Sequence, residues 1–390
     1  MKQRRNLVES QGFRNALSSI IAIVIGMLVG LAILLVSNPG RALEGFVAIA
    51  VGGVSNMKNM GQVLYYATPL IMTGLSVGFA KKTGLFNIGA SGQFIVGAYA
   101  AVFVGVKFTF LPPWLHCLTA LVAAFLAGAL WGVLPGLLKA YCNVNEVITC
   151  IMMNYIGMST VNLLIRRTIF DAAKNESLRP AASAVLPKMG LDKIFVDGAT
   201  PSSVNSGIFI AIIMGILVWV VLEKTKFGFE LKACGYNRDA AKYAGINEKR
   251  SIMMAMIIAG ALAGLGGALL YLSGAGTGIK VIDELATQGF NGIPVALLGM
   301  CNPIAIIFTG IFMAYLTIGG LAMQMYGFVP QIVDIISSVI IYFAAFALFF
   351  SMVLKKLFHG KERNANDDSP PPPPTPTGPA VEPAKGGDGQ

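Results

Sequence analysis

Charged residues are scarce in this chain. Only 12% of its 390 residues are Asp, Glu, Lys or Arg, against about 25% in a typical soluble domain. Histidine occurs twice, as His116 and His359. There is no H-E-x-x-H zinc motif and no G-x-S-x-G nucleophile elbow. A nucleotide-binding loop of the form G-x-x-x-x-G-K-[ST] is also missing: the one Gly-Lys pair, Gly360-Lys361, is followed by glutamate. Neither histidine has a metal or nucleophile partner nearby in sequence, so both are read as structural or solvated. The five cysteines (Cys117, Cys142, Cys150, Cys234 and Cys301) form no C-x-x-C pair, which argues against a zinc site or a disulfide framework. An enzyme is therefore a poor reading.

What the chain has instead is apolar length. Hydrophobic residues make up 55% of it, and the mean hydropathy is +0.70. Apolar runs of about 20 residues recur, enough for a helix to cross the hydrocarbon core of a bilayer. The expected fold is all-α: a polytopic membrane protein with ten spans, at 16–36, 62–80, 88–106, 114–138, 146–165, 207–222, 252–272, 287–301, 303–321 and 331–354. The first run is too long for a signal-peptide core, and no small-residue cleavage site follows in "SNPGRALEG". The stretch 41–61, broken by Gly52-Gly53, is expected to be interfacial or re-entrant, with an eleventh span as the alternative.

Basic residues set the orientation. With both termini cytoplasmic, inner segments hold 19 of the 29 Lys and Arg residues and outer segments hold 10, six of them in the long loop 166–206. Long loops translocate largely regardless of charge, so this topology obeys the positive-inside rule. The net charge of +10 then reflects cytoplasmic loops facing anionic lipid rather than nucleic-acid binding. The expected organisation is a cytoplasmic segment 1–15, a transmembrane domain 16–358 and a proline-rich tail 359–390 too polar to fold. Within the domain, 166–206 forms an external cap and 223–251 a cytoplasmic loop. The setting is a cell membrane.

Ionisable residues are nearly absent from mid-span positions, so the carboxylate of a proton- or sodium-coupled carrier is lacking. Glu146 stands three residues after Asn143, the arrangement of a capping box, with contact to a partner as the alternative. Asn154, two turns deeper, either bonds a neighbouring helix or faces a substrate path. After the Lys81-Lys82 turn, Gln93, Gly97 and Ala101 recur every four residues on one helix face, and Gly260, Gly264 and Ala268 make a similar ridge. Loop 223–251 carries seven basic and four acidic residues. Its "RDAAKYAGI" is expected to be helical, capped by Asn237 and ended by Gly245. It suits either a docking element or a solvated connector.

Four passages together resemble the permease subunits of ABC importers for branched-chain amino acids, ribose and nucleosides. They are "ATPLIMTGLSVGFAKKTGLFNIGASGQFIVGAYAA", "NEVITCIMMNYIG", "GYNRDAAKYAGI" and "GFNGIPVALLGMCNP". The first two are most similar to the nucleoside and simple-sugar branch. The resemblance implies a type II-like importer bundle and a nucleoside cargo, with ribose, another simple sugar or a branched-chain amino acid as alternatives. A carrier without ATPase subunits is the rival outside this class. It also implies three kinds of partner: a separate ATP-binding subunit that holds ATP and Mg, a second permease, and an external substrate-binding protein. Gly235, Asn237, Ala240, Ala241, Gly245 and Ile246 match the family's coupling segment. Asn87, Gln93 and Asn154 are the expected substrate-path residues, because amides match the donors and acceptors of a nucleoside.

Overall fold

The structure, a computed structural model, describes residues 11–198, 200–329 and 331–345. Residues 1–10, the end of the last expected span and the tail 359–390 lie outside the described residues. The chain begins with α1 (Gln11–Ser37), α2 (Ala42–Gly52), α3 (Met57–Lys82), α4 (Ala90–Lys107), α5 (Pro113–Cys142) and α6 (Glu146–Thr168). A connector follows, holding β1 (Phe170–Asp171), β2 (Glu176–Ser177), α7 (Leu191–Ile194), β3 (Val196–Asp197) and β4 (Thr200–Pro201). The remaining helices are α8 (Gly207–Lys224), α9 (Lys226–Tyr236), α10 (Arg238–Tyr243), α11 (Glu248–Tyr271), α12 (Thr287–Leu298), α13 (Pro303–Met323) and α14 (Gln331–Ala345). The result is an all-α polytopic bundle. Among the described residues, seven helices are long and apolar enough to cross a membrane: α3, α4, α5, α6, α8, α11 and α13.

The apolar helices α2 and α12 are both too short to cross a bilayer core. With 11 residues, α2 reaches about 16 Å, short of an eleventh span, and packs Gly52 against Gly319 and Ala322 of α13. The expected span 287–301 contracts to the 12 residues of α12. It stops because Met300 and Cys301 both take positive φ, 50° and 53°, and turn the chain directly into α13.

The centre of the bundle is α3 and α11, buried over 89% and 78% of their apolar windows, whereas α5 is buried over only 22%. The buried part of α5 is a stripe of small residues at every fourth position, Ala120, Ala124, Gly128, Gly132 and Gly136. This stripe lies on α11. A Cβ on Gly264 would sit 2.6 Å from the Ala124 carbonyl, and one on Gly128 would strike the Gly260 carbonyl. At the same residue, Gly97 of α4 also meets the backbone of Gly264, and Ala101 is fully buried. Three helices thus approach backbone to backbone at one crossing, which small residues alone permit.

The connector 166–206 folds over one end of the bundle. Two antiparallel pairs, β1–β2 and β3–β4, shape it where sequence periodicity gave no strand signal. Its backbone is tied down by Ala181 N–H to the Gly105 carbonyl and Leu186 N–H to the Leu272 carbonyl, both 2.8 Å. Fully buried His116 joins it to the helices. Its Nε2 lies 3.0 Å from the Val104 carbonyl and must donate, so in the neutral ring Nδ1 accepts from Ser183 Oγ at 2.9 Å. The structural reading of this histidine holds.

Candidate functional site

The turn between α3 and α4 organises the interior at the end away from the connector. Gly84 at φ +76° lets the Leu85 N–H reach back to the Ala80 carbonyl at 3.0 Å, a glycine-terminated helix end. Leu85 is buried beneath it. The chain then inserts Asn87, fully buried, whose Nδ2 donates to Ser76 Oγ at 3.0 Å and to Gln93 Oε1 at 2.8 Å. Ser76 in turn donates to the Ala259 carbonyl of α11 at 2.6 Å. Asn154 of α6 closes the cluster: its Oδ1 accepts from the Gly92 N–H at 2.8 Å, and its Nδ2 donates to the Ile88 carbonyl at 3.1 Å.

Asn87, Gln93 and Asn154 therefore come together, although they belong to the α3–α4 turn, α4 and α6. Asn87 bonds Gln93 and Ser76, while Asn154 bonds only the backbone of Ile88 and Gly92 beside them, a largely satisfied polar cluster of the kind that fixes one arrangement of a core. The Gln93 Nε2 atom is the exception, buried and without a partner among the described residues. None of the three borders the cavities described next.

Those cavities open at the connector end. One, of about 360 Å³, is lined by Tyr65, Tyr66, Tyr271, Asn162 and Gln288 among others. A second, of about 480 Å³, shares Tyr65, Tyr66 and Thr277 with the first and runs on toward α13. The two tyrosines stand at 69° with ring centroids 5.1 Å apart. Tyr65 is buried, its hydroxyl 3.4 Å from Ser273 Oγ, while Tyr66 is 38% exposed. No sequence pattern pointed to this group, since its members are scattered from position 65 to position 288. The adjacent Tyr65-Tyr66 pair inside an apolar run is the one signal available.

At the opposite end, loop 223–251 folds as α9 and α10. Asn237 caps α10, its side chain accepting from the Ala240 N–H at 3.0 Å. Gly245, at φ +79°, ends it, and the Ile246 N–H returns to the Ala241 carbonyl at 3.0 Å. Ala241 is buried, whereas Asn237, Ala240 and Gly245 are exposed. Tyr236 and Tyr243 project almost fully into solvent, at 91% and 95% exposure. Gly235 is pressed against the α3–α4 turn: a Cβ there would lie 2.6 Å from the Lys82 carbonyl.

The capping box expected at Glu146 is not formed. Asn145 caps α6, accepting from the Val147 N–H at 2.9 Å. Asn143 terminates α5 in the left-handed region, at φ 51°, a conformation asparagine tolerates. Glu146 instead meets Lys139 at 2.9 Å and ties α6 to the last turn of α5.

Residues 59–345 match the family described as branched-chain amino acid transport system / permease component. The chain belongs to this permease family. Among the permease's relatives is the guanosine ABC transporter permease protein NupP of Bacillus subtilis, 38% identical over 352 residues, covering 89% of this chain and 97% of the relative. The nucleoside ABC transporter permease protein NupB of Lactococcus lactis is 34% identical over 350 residues, covering 88% and 94%. The glucose ABC transporter permease protein TsgB13 of Haloferax volcanii is 31% identical over 316 residues, covering 79% and 81%. No solved structure matches the permease.

Proposed function

We propose that this permease is the membrane subunit of an ATP-driven importer of nucleosides. The observation that carries this reading is similarity along nearly the whole length of two relatives, one named for guanosine and the other for nucleosides. The glucose permease is less similar over a shorter stretch, which ranks sugars below nucleosides. The permease hydrolyses nothing itself. ATP and Mg are held by a separate ATP-binding subunit, a second permease completes the pathway, and an external binding protein delivers the cargo.

In this scheme both termini are cytoplasmic, loop 223–251 faces the cytoplasm and connector 166–206 faces outward. The coupling surface is α9–α10. Asn237 and Gly245 fix the ends of α10, Ala241 seats it, exposed Ala240 lies between the aromatic anchors Tyr236 and Tyr243 in the chain, and half-buried Ile246 follows Gly245. Aromatic side chains of that kind are the usual energetic centres of a protein interface. Movement of α9 presses on the α3–α4 turn through Gly235. From that turn α3 runs about 25 Å along its axis, past Pro69, to Tyr65 and Tyr66, and carries the shift to them. Asn87, Gln93 and Asn154 stand between these ends and hold α3, α4, α6 and α11 in register as the pathway opens and closes.

Competition for uptake tests the cargo. Cells expressing the complete transporter should accumulate a labelled nucleoside, and unlabelled nucleosides should block that uptake where ribose, glucose and leucine do not. Block by a sugar or by leucine alone would overturn the nucleoside assignment.

A further inference from the structure

We propose that the cavity at Tyr65, Tyr66 and Tyr271 is a binding site for one nucleoside within the permease itself. The base lies against the tyrosine rings and the ribose against the amides of Asn162 and Gln288. This rests on the nucleoside-import reading above and adds that the pathway holds a defined site rather than a featureless channel.

Four observations carry it. The volume of about 360 Å³ falls within the range of about 300–1,000 Å³ usual for small-molecule sites. Tyrosine rings line it, and Tyr66 is partly exposed while Tyr65 is buried beside it. A flat ring stacks on such faces whatever its substituents. The amides also keep free valences. Asn162 donates its Nδ2 to the Ile282 carbonyl at 2.9 Å and to Asp283 Oδ1 at 3.3 Å, which leaves its own Oδ1 with no protein donor among the described residues. Gln288 uses its Oε1 toward Thr287 at 3.4 Å, and its Nε2 donates to nothing among the described residues. One acceptor and one donor are thus available for sugar hydroxyls.

The charges at the same cavity discriminate further. Lys280 and Glu284 both line it and the Asp283 carboxylate lies beside it against Asn162, so it has no excess of positive charge to hold a phosphate. An uncharged nucleoside fits it better than a nucleotide. The cavity also lies at the connector end of the bundle, where Ser177 N–H bonds the Ile279 carbonyl and Val281 N–H the Asn175 carbonyl, the end at which an externally delivered ligand enters in the proposed orientation.

Photolabelling tests the site. The complete transporter in membrane vesicles is irradiated with a radioactive azido-purine nucleoside, and labelled peptides are mapped while uptake is measured in parallel. Label is expected on peptides holding Tyr66 or Tyr271, displaced by unlabelled nucleoside but not by ribose or by a nucleotide. Tyr66→Ala should lower labelling roughly 10-fold at equal protein level, and Tyr66→Phe should keep it. Wild-type uptake with label elsewhere, or undiminished in Tyr66→Ala, would overturn the site and leave the import reading intact. Absence of nucleoside uptake by the wild type would overturn both.

Discussion

Gly84 and Gly235 meet backbone to backbone. A Cβ on Gly84 would lie 3.0 Å from the Gly235 Cα, and one on Gly235 would lie 2.6 Å from the Lys82 carbonyl. At this point the loop carrying α9 and α10 bears directly on the end of α3, and α3 carries Tyr65 and Tyr66 at its far end. A force applied to the loop can reach the cavity along α3, whose one interruption on the way is Pro69, where the helix lacks the hydrogen bond to the Tyr65 carbonyl.

Gly235→Val should break that route. A bulky side chain must separate loop from turn, at a cost of about 1–3 kcal/mol in overpacking, and uptake should fall severely while the protein still reaches the membrane. Uptake and membrane level measured together check this. Wild-type uptake by Gly235→Val would show that the contact transmits nothing.

Asn154→Leu should destabilise the bundle and leave ligand recognition alone. It strips partners from the Gly92 N–H and the Ile88 carbonyl, each a buried group worth about 1–3 kcal/mol when orphaned. Thermal unfolding in detergent should show a lower midpoint, while the concentration dependence of labelling at the cavity stays unchanged. Weakened labelling with an unchanged midpoint would return Asn154 to the substrate path.

Lys139 and Glu146 are both largely sheltered, at 13% and 15% side-chain exposure. Removing Lys139 takes from Glu146 its side-chain partner, so Lys139→Met should cost about 1–3 kcal/mol. The double variant Lys139→Met/Glu146→Leu should recover most of that loss, because no charge is left unpaired. A double-mutant cycle on thermal stability decides it, and purely additive losses would contradict the coupling.

Gly245→Arg separates docking from folding. Nothing lies within 4 Å of the position a Cβ would take there, so the substitution costs about 1–2 kcal/mol for the left-handed backbone and meets no clash. The protein should remain folded and lose co-purification with its ATP-binding subunit. Retained co-purification would move the docking surface away from α10.

The bundle was legible in the sequence wherever apolar runs were long, because span length depends on composition and bilayer thickness alone. Caps inside polar segments were readable too, as at Asn237 and Gly245, where both partners lie within a few residues. Errors arose where two signals competed. Asn143 and Asn145 both precede α6, and only the αL turn that ends α5 decides which of them caps. The contraction of 287–301 to α12 follows from the two positive-φ residues Met300 and Cys301, which no hydropathy pattern records. The clustering of Asn87, Gln93 and Asn154 and the convergence of Tyr65, Asn162, Tyr271 and Gln288 are tertiary facts: they depend on helix crossings set by glycines far away in the chain.

The most direct measurement is uptake of a labelled nucleoside into cells that make this permease with its ATP-binding subunit and binding protein, compared with the same cells carrying an ATPase-dead subunit. The account predicts accumulation against a gradient that disappears when the ATPase is disabled. Accumulation that persists without ATP hydrolysis would contradict it and make the protein a carrier in its own right.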